Sequence, residues 1–218
     1  MIAENSWVKI NYHVYYKGKN FFSIVSDNEY LRLGLFSLFH QLNSESISVN
    51  TIFIDIGSLK LMSELGAWLK NAYANRVAVI LICSDGDMSM VLARLPNINI
   101  NAKLSSWLLD IIKLLRLNLT CYLMKEFKNL ICVKKLGTMK IIIIFLLHNG
   151  WNFSFIARNL NISHKKLYRS VCGLVSYFNL KNTNYLVHFL RSRLPPSYFC
   201  PLNTNQNVIT AVYGRKAF

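Results

Sequence analysis

The sequence predicts an α/β chain: a doubly wound parallel sheet in the first half, then an all-α, four-helix domain. Three observations carry this expectation. Apolar strand-like runs alternate with amphipathic helical stretches up to residue 117, the pattern that builds parallel sheets from βαβ units. Beyond residue 136 the strand-like runs give way to apolar residues at helical spacing. Charge divides between the same halves. Residues 1–118 hold 11 Lys and Arg against 9 Asp and Glu, or +2, whereas residues 119–218 hold 14 against 1, or +13.

With 218 residues and 53% hydrophobic content, the chain has the material for two cored domains rather than for disorder. The expected division is a sheet domain over 1–118, a linker with some helix over 119–135, a helical domain over 136–194 and a tail over 195–218. Residues 1–19 are polar and aromatic, and could form an extra strand of unassigned place. Phe21–Val25 reads as a buried strand ending in Ser26-Asp27-Asn28. Leu31, Leu35, Leu38, Phe39 and Leu42 make 29–42 an amphipathic helix. Thr51–Ile56 is a second strand with Asp55 near its end, 59–74 a helix, and Val77–Cys83 a third strand. A short helix over 88–95, a short strand over 97–102 and a helix over 105–117 complete the alternation. In such sheets ligands and phosphoryl groups gather at the carboxyl ends of strands, which here carry Asp27, Asp55 and Lys103.

The second half opens with Thr138–His148. Ile141–Ile144 are four consecutive β-branched residues that favour strand, set in a stretch whose surroundings read as helix. Asn152 can cap a short helix in which Phe155, Ile156 and Leu160 recur at helical spacing. Asn161 sits at a reversal and tolerates the left-handed conformation. Ser163 can cap the next helix, His164 to Phe178, with an apolar stripe of Leu167, Val171, Leu174, Val175 and Phe178. Its first two turns carry Lys165, Lys166, Tyr168 and Arg169. Short helix, tight turn and a helix with a basic start make a helix-turn-helix pattern. A further helix runs to Leu194, where Pro195-Pro196 stops it. In the tail, Val208–Tyr213 is the segment expected to be ordered.

From Leu136 to Val187 the chain resembles, without a gap, the C-terminal DNA-binding domain of the LuxR/NarL/FixJ family. Gly150 falls on that family's glycine between its first two helices, Ile156-Ala157-Arg158 and Leu160 on its I-A-x-x-L, and Ile162-Ser163 on its I-S. Leu180-Lys181-Asn182 and Leu186-Val187 match its closing V-K-N-R-T-x-L-V. The resemblance implies that Thr138–His148 is helical, with Ile143, Ile144, Leu146 and Leu147 in the core. Ile141, Ile142 and Phe145 then fall where relatives carry charge, a surplus that fits a partner contact or packing against the first domain. It also implies that the last helix supports dimerisation. Where the family has T-V-K-x-H, this chain has Lys166-Leu167-Tyr168-Arg169-Ser170, so its target site is not inherited.

The first half resembles, more faintly, a response-regulator receiver. Ile24-Val25-Ser26-Asp27 is similar to its first strand with two terminal acids, and Ile52-Phe53-Ile54-Asp55 to the strand bearing its phospho-acceptor. Ile80–Ser84 matches the strand ending in a hydroxyl residue, and Asn101-Ala102-Lys103 the one ending in Lys. That chemistry needs two carboxylates on a magnesium ion beside a third that attacks phosphorus. Here Ser26 replaces the first acid and Cys83 the hydroxyl, with Ser84 adjacent, so the set is incomplete. Asp55 is either an acceptor or a carboxylate capping a loop, and Lys103 either a phosphate ligand or a solvated helix start. A degenerate receiver joined to this helix-turn-helix resembles RcsA-type and fimbrial auxiliary regulators of enteric bacteria, which implies action with a partner regulator.

Other classes find little support. No basic start precedes a long apolar run at the N-terminus. The longest apolar run, Ile141–Leu147, falls far short of the roughly 20 residues that cross a bilayer. The five cysteines are scattered and lack a C-x-x-C pair, as expected of reduced thiols in a cytosol. No nucleophile–base pair, metal cluster or Gly-rich phosphate loop is visible, so neither enzymatic activity nor a cofactor is expected. The expected function is that of a cytoplasmic regulator binding double-stranded DNA as a homodimer or a heterodimer with another LuxR-type protein. Lys165, Lys166, Tyr168 and Arg169 would face the major groove and its phosphates, and Ser163 would offer helix-terminal amides. A regulator switched by phosphorylation at Asp55 and a module that titrates another regulator are the competing readings.

Overall fold

The computed structural model describes residues 12–17, 20–41, 50–132 and 136–195. The chain divides into two compact units, Met1–Leu130 and Ile131–Phe218.

The first unit is built on a five-stranded sheet in the order β1-β2-β3-β4-β5. Its strands are β1 (Tyr12–Lys17), β2 (Asn20–Val25), β3 (Thr51–Asp55), β4 (Ala78–Cys83) and β5 (Asn97–Asn99). β2 to β5 are parallel, with Ile24 opposite Phe53 and Phe53 opposite Ile80. The helices are α1 (Glu29–Gln41), α2 (Met62–Ala74), α3 (Asp87–Leu92), α4 (Leu104–Leu117) and α5 (Thr120–Leu130). Phe22, Ile24, Phe53, Ile80 and Ile82 form one core with Leu35 and Phe39 of α1 and Trp107, Ile111 and Leu115 of α4. The alternate strand residues Ile52, Ile54, Val79 and Leu81 project to the other face and are buried as well. Burial on both faces explains why these strands read as continuous apolar runs.

Two features go beyond the sequence expectation. Tyr12–Lys17 forms the extra strand whose place was left open: it pairs antiparallel with β2 and takes the sheet edge beside it. The parallel strands therefore follow one another in chain order, without the reversal of the flavodoxin-like 2-1-3-4-5 order. The stretch from Thr120 to Leu130, expected as part of a linker with some helix, is helical and falls, as α5, within the first unit. Its role is physical. β5 pairs only with Leu81–Cys83, leaving the start of β4 without a ladder partner on that side. The Thr120 hydroxyl takes that place, accepting from the Val79 N–H at 3.0 Å and donating to the Val77 carbonyl at 3.0 Å. Buried backbone groups demand such partners. Phe127 of α5 lies so close to α2 that a Cβ on Gly66 would sit 3.1 Å from its ring.

The second unit contains α6 (Thr138–His148), α7 (Phe153–Asn159), α8 (His164–Tyr177) and α9 (Thr183–Ser192). Ile143, Ile144, Leu146, Ile156, Val171, Leu174, Leu186 and Phe189 are sealed from solvent. The isoleucine run is helical because burial outweighs propensity. A β-branched residue costs a helix less than about 0.7 kcal/mol, whereas burying its side chain contributes about 2 kcal/mol. Burial also takes in Ile142, at 9% exposure, while Ile141 and Phe145 are half-buried. The apolar surplus expected on an open face is thereby reduced to two partly covered side chains.

Three of these helices end in the same way. Gly150, Asn161 and Asn179 have φ of 86°, 51° and 55°, and the N–H groups of Trp151, Ile162 and Leu180 return to the carbonyls of Leu146, Ala157 and Val175. This 6→1 closure satisfies orphan carbonyls and needs a left-handed residue. α9 starts at Thr183, because the Asn182 side chain accepts from the Asn184 and Tyr185 amides at 3.0 and 3.2 Å. The segment Val208–Tyr213 lies outside the described residues. No described helix is long and apolar enough to cross a membrane.

Candidate nucleic-acid interface and the carboxyl end of the sheet

α8 is positioned by its buried stripe. Leu167, Val171 and Leu174 are at most 1% exposed, and they fix which face points outward. Asn152 caps α7 by accepting from the Phe155 amide at 2.8 Å. The Asn161 reversal then delivers Ser163, whose hydroxyl accepts from the Lys166 amide at 3.2 Å and caps α8. The four predicted residues Lys165, Lys166, Tyr168 and Arg169 are all exposed, Tyr168 to 62%. The structure thus brings Ser163 and these four together on the first two turns of one helix. The side chains of Lys165, Lys166, Tyr168 and Arg169 make no ion pair or hydrogen bond among the described residues. Glu126 is the single acid of residues 119–218, so the second unit, which starts after it, has no carboxylate side chain to neutralise them. Such a face can bind a polyanion through charge, with Tyr168 and Arg169 available for base edges.

The carboxyl end of the sheet is arranged differently. Asp55 ends β3 and is 5% exposed. Its Oδ2 accepts from the hydroxyls of Ser26 and Ser58, both at 2.7 Å, and its Oδ1 accepts from the Gly57 amide at 3.0 Å. Asp55 therefore caps the 3₁₀ turn Ile56–Ser58. The two serines pass the network on, since Ser26 Oγ accepts from the Asn28 amide at 3.0 Å and Ser58 Oγ from the Asp27 amide at 2.8 Å. Ser58, which the sequence reading overlooked, follows Asp55 by three residues in an Asp-x-x-Ser pattern that would have flagged it.

Asp27 joins this network through its backbone, with its carboxyl in an exposed residue. Lys103 is exposed at the start of α4 and makes no bond to Asp55. Cys83 is buried, and its thiol is pushed up to about 11 by that burial and by the nearby Asp55 charge, against a hydrogen bond with Ser89. Ser84 presses close enough that a Cβ on Gly57 would lie 2.8 Å from its hydroxyl. Of the residues singled out at the strand ends, then, Asp55, Ser26, Cys83 and Ser84 are drawn together, and the Asp27 and Lys103 side chains are not.

No protein-family model and no curated protein matches this sequence. Solved structures do resemble it. A structure of two RcsB dimers bound to two parallel DNAs aligns with a TM-score of 0.54 at 14% identity, covering 77% of this chain and 95% of that one. Full-length FixJ from B. japonicum aligns at 16% identity and TM-score 0.33, covering 78% and 95%. The response regulator StyR aligns at 18% identity and TM-score 0.33, covering 78% and 96%. The first likeness is one of fold, a mostly parallel sheet with flanking helices followed by a helical domain.

Proposed function

We propose that this chain is a cytoplasmic transcription regulator of the LuxR/NarL/FixJ type that binds double-stranded DNA. The observation that carries the reading is the outer face of α8, where three cations and an exposed tyrosine stand without internal partners. Lys165 and Lys166 serve phosphates, Tyr168 and Arg169 read base edges, and Ser163 lends the helix-start amides to a phosphate. The protein acts as a homodimer or with a second regulator of its type, a reading favoured by its likeness of fold to a protein solved as DNA-bound dimers. Ile141 and Phe145, both half-buried, are the residues assigned to such a contact, whereas Ile142, expected to join them, is buried.

The first unit is a degenerate receiver, akin to RcsA-type and fimbrial auxiliary regulators, and it works without phosphorylation. An acceptor carboxylate must turn a lone pair toward phosphorus beside a carboxylate-held magnesium ion. In this chain Ser26 stands in place of one such acid and donates to the would-be acceptor. The test has two arms. Duplexes are selected from a random pool with the purified protein; recovery of a preferred site, weakened by Arg169→Ala, supports the regulator, and failure of any duplex to bind overturns it. Treatment with acetyl phosphate and magnesium is expected to leave Asp55 unlabelled; a labelled Asp55 together with an inactive Asp55→Ala variant would establish the phospho-switch instead.

A further inference from the structure

We infer that Lys140, on α6 rather than α8, is a further DNA-phosphate contact and completes the basic row of the recognition surface; this rests on the DNA-binding reading above. Residues four apart on a helix share a face, so Lys165, Arg169 and Gly173 form one row along α8. Arg169 lies opposite the buried stripe of Leu167, Val171 and Leu174. At the third place of the row α8 supplies no side chain. A Cβ built on Gly173 would lie 3.3 Å from the Lys140 Nζ and 3.6 Å from its Cε. The ammonium of Lys140 thus rests against the surface that a side chain at 173 would cover.

Glycine in mid-helix weakens the helix, and here its bare backbone is what lets a cation from the neighbouring helix lie flat on α8. Lys140 is half-buried, and both its Cε and its Nζ lie against Gly173, which places the charge beside α8. Its side chain makes no hydrogen bond or ion pair among the described residues. No carboxylate side chain exists between residues 127 and 218 to claim it. A positioned ammonium without an anion, beside the row that bears Lys165 and Arg169, is suited to a phosphate of the bound duplex.

Binding of the full-length protein is followed across about 50–200 mM NaCl, on a duplex selected from a random pool and on an unrelated duplex of equal length. Each neutralised phosphate adds about 0.9 to the steepness of the log–log salt dependence. Lys140→Gln keeps the stem and removes the charge, and is expected to flatten the slope by about that amount on both duplexes. Lys140→Arg should restore it, as should Gly173→Lys placed in the Lys140→Gln background, since the cation then comes from α8 itself. A wild-type slope for Lys140→Gln, with Lys166→Ala flattened, overturns the inference and leaves the DNA reading standing. If Lys140→Gln, Lys166→Ala and Arg169→Ala all keep the wild-type slope, both fall together.

Discussion

The carboxyl end of the sheet and the outer face of α8 are both dense in polar groups, yet they use them in opposite ways. At Asp55 every group is committed internally. One carboxylate takes two hydroxyls and an amide, and both hydroxyls in turn take amides from the Asp27-Asn28 corner. On α8 the charged ends of Lys165, Lys166 and Arg169 are committed to nothing within the described residues. A buried carboxylate that accepts three hydrogen bonds stabilises the loop it closes. A cluster of unopposed cations gains nothing for the fold and becomes favourable when an external polyanion arrives. The contrast teaches that the position a residue holds in a familiar motif matters less than whether its hydrogen-bonding capacity is already spent.

The largest expected effect follows from the spent side. Asp55→Ala leaves the Ser26 and Ser58 hydroxyls and the Gly57 amide without their acceptor. The cost should be about 3 kcal/mol, the scale for buried donors stripped of a charged partner. Chemical denaturation measures it. DNA affinity of the folded variant should match the wild type. An Asp55→Ala protein as stable as its parent would show that the network does not hold the sheet's carboxyl end together, and the contrast would break.

On the unspent side, Arg169→Ala should reduce discrimination between a selected site and random duplex by about 2 kcal/mol, with thermal stability unchanged. Competition binding gives the number. Were Arg169→Ala to unfold the second unit, its side chain would have to be spent after all. Ser163→Ala sharpens the comparison further, because Ser163 serves both sides. Losing its cap should cost about 1 kcal/mol of stability and should also weaken duplex binding by loosening the first turn that carries Lys165 and Lys166.

How far the sequence foretold this depends on which forces shaped each part. β3, β4 and α4 were legible because burial on both sheet faces, or on one helix stripe, imprints a period. β1 could be read as an extra strand but not placed, since an edge strand with exposed Val14 and Tyr16 carries no such imprint. α5 hid for another reason. Some helix was expected there, but its place in the first unit rests on Thr120 bonding the β4 edge that faces away from β3, a long-range contact with no local trace. α6 has no readable period at all, and family resemblance rather than propensity placed it correctly as a helix. At the candidate sites, the basic turns of α8 stood out, and so did Asp55. The state of Asp55 did not, because the sequence names a carboxylate without telling how many donors reach it. The meeting of Lys140 with Gly173 was equally invisible, joining two helices far apart along the chain.

A pH dependence reports on the closed side as well. Cys83 lies under the Asp55 network, 8% exposed. Its pKa is raised from 9.0 to about 11, chiefly by burial and further by the Asp55 charge, with the Ser89 hydrogen bond opposing. A folded-state pKa above the unfolded one means that the fold favours the neutral thiol. That contribution is fully present below pH 9 and is lost as pH rises from 9 toward 11. Stability of the wild type should therefore decline through this window more steeply than that of Cys83→Ala. Asp55→Asn removes one source of the upward shift, so the loss in that variant should be complete at a lower pH. Iodoacetamide at pH 8 gives a second readout, because the thiolate is the reacting form: the exposed Cys121 should alkylate well before Cys83. Equal rates for the two thiols would mean that the carboxyl end of the sheet opens readily to solvent, and its polar groups would then be no more committed than those of α8.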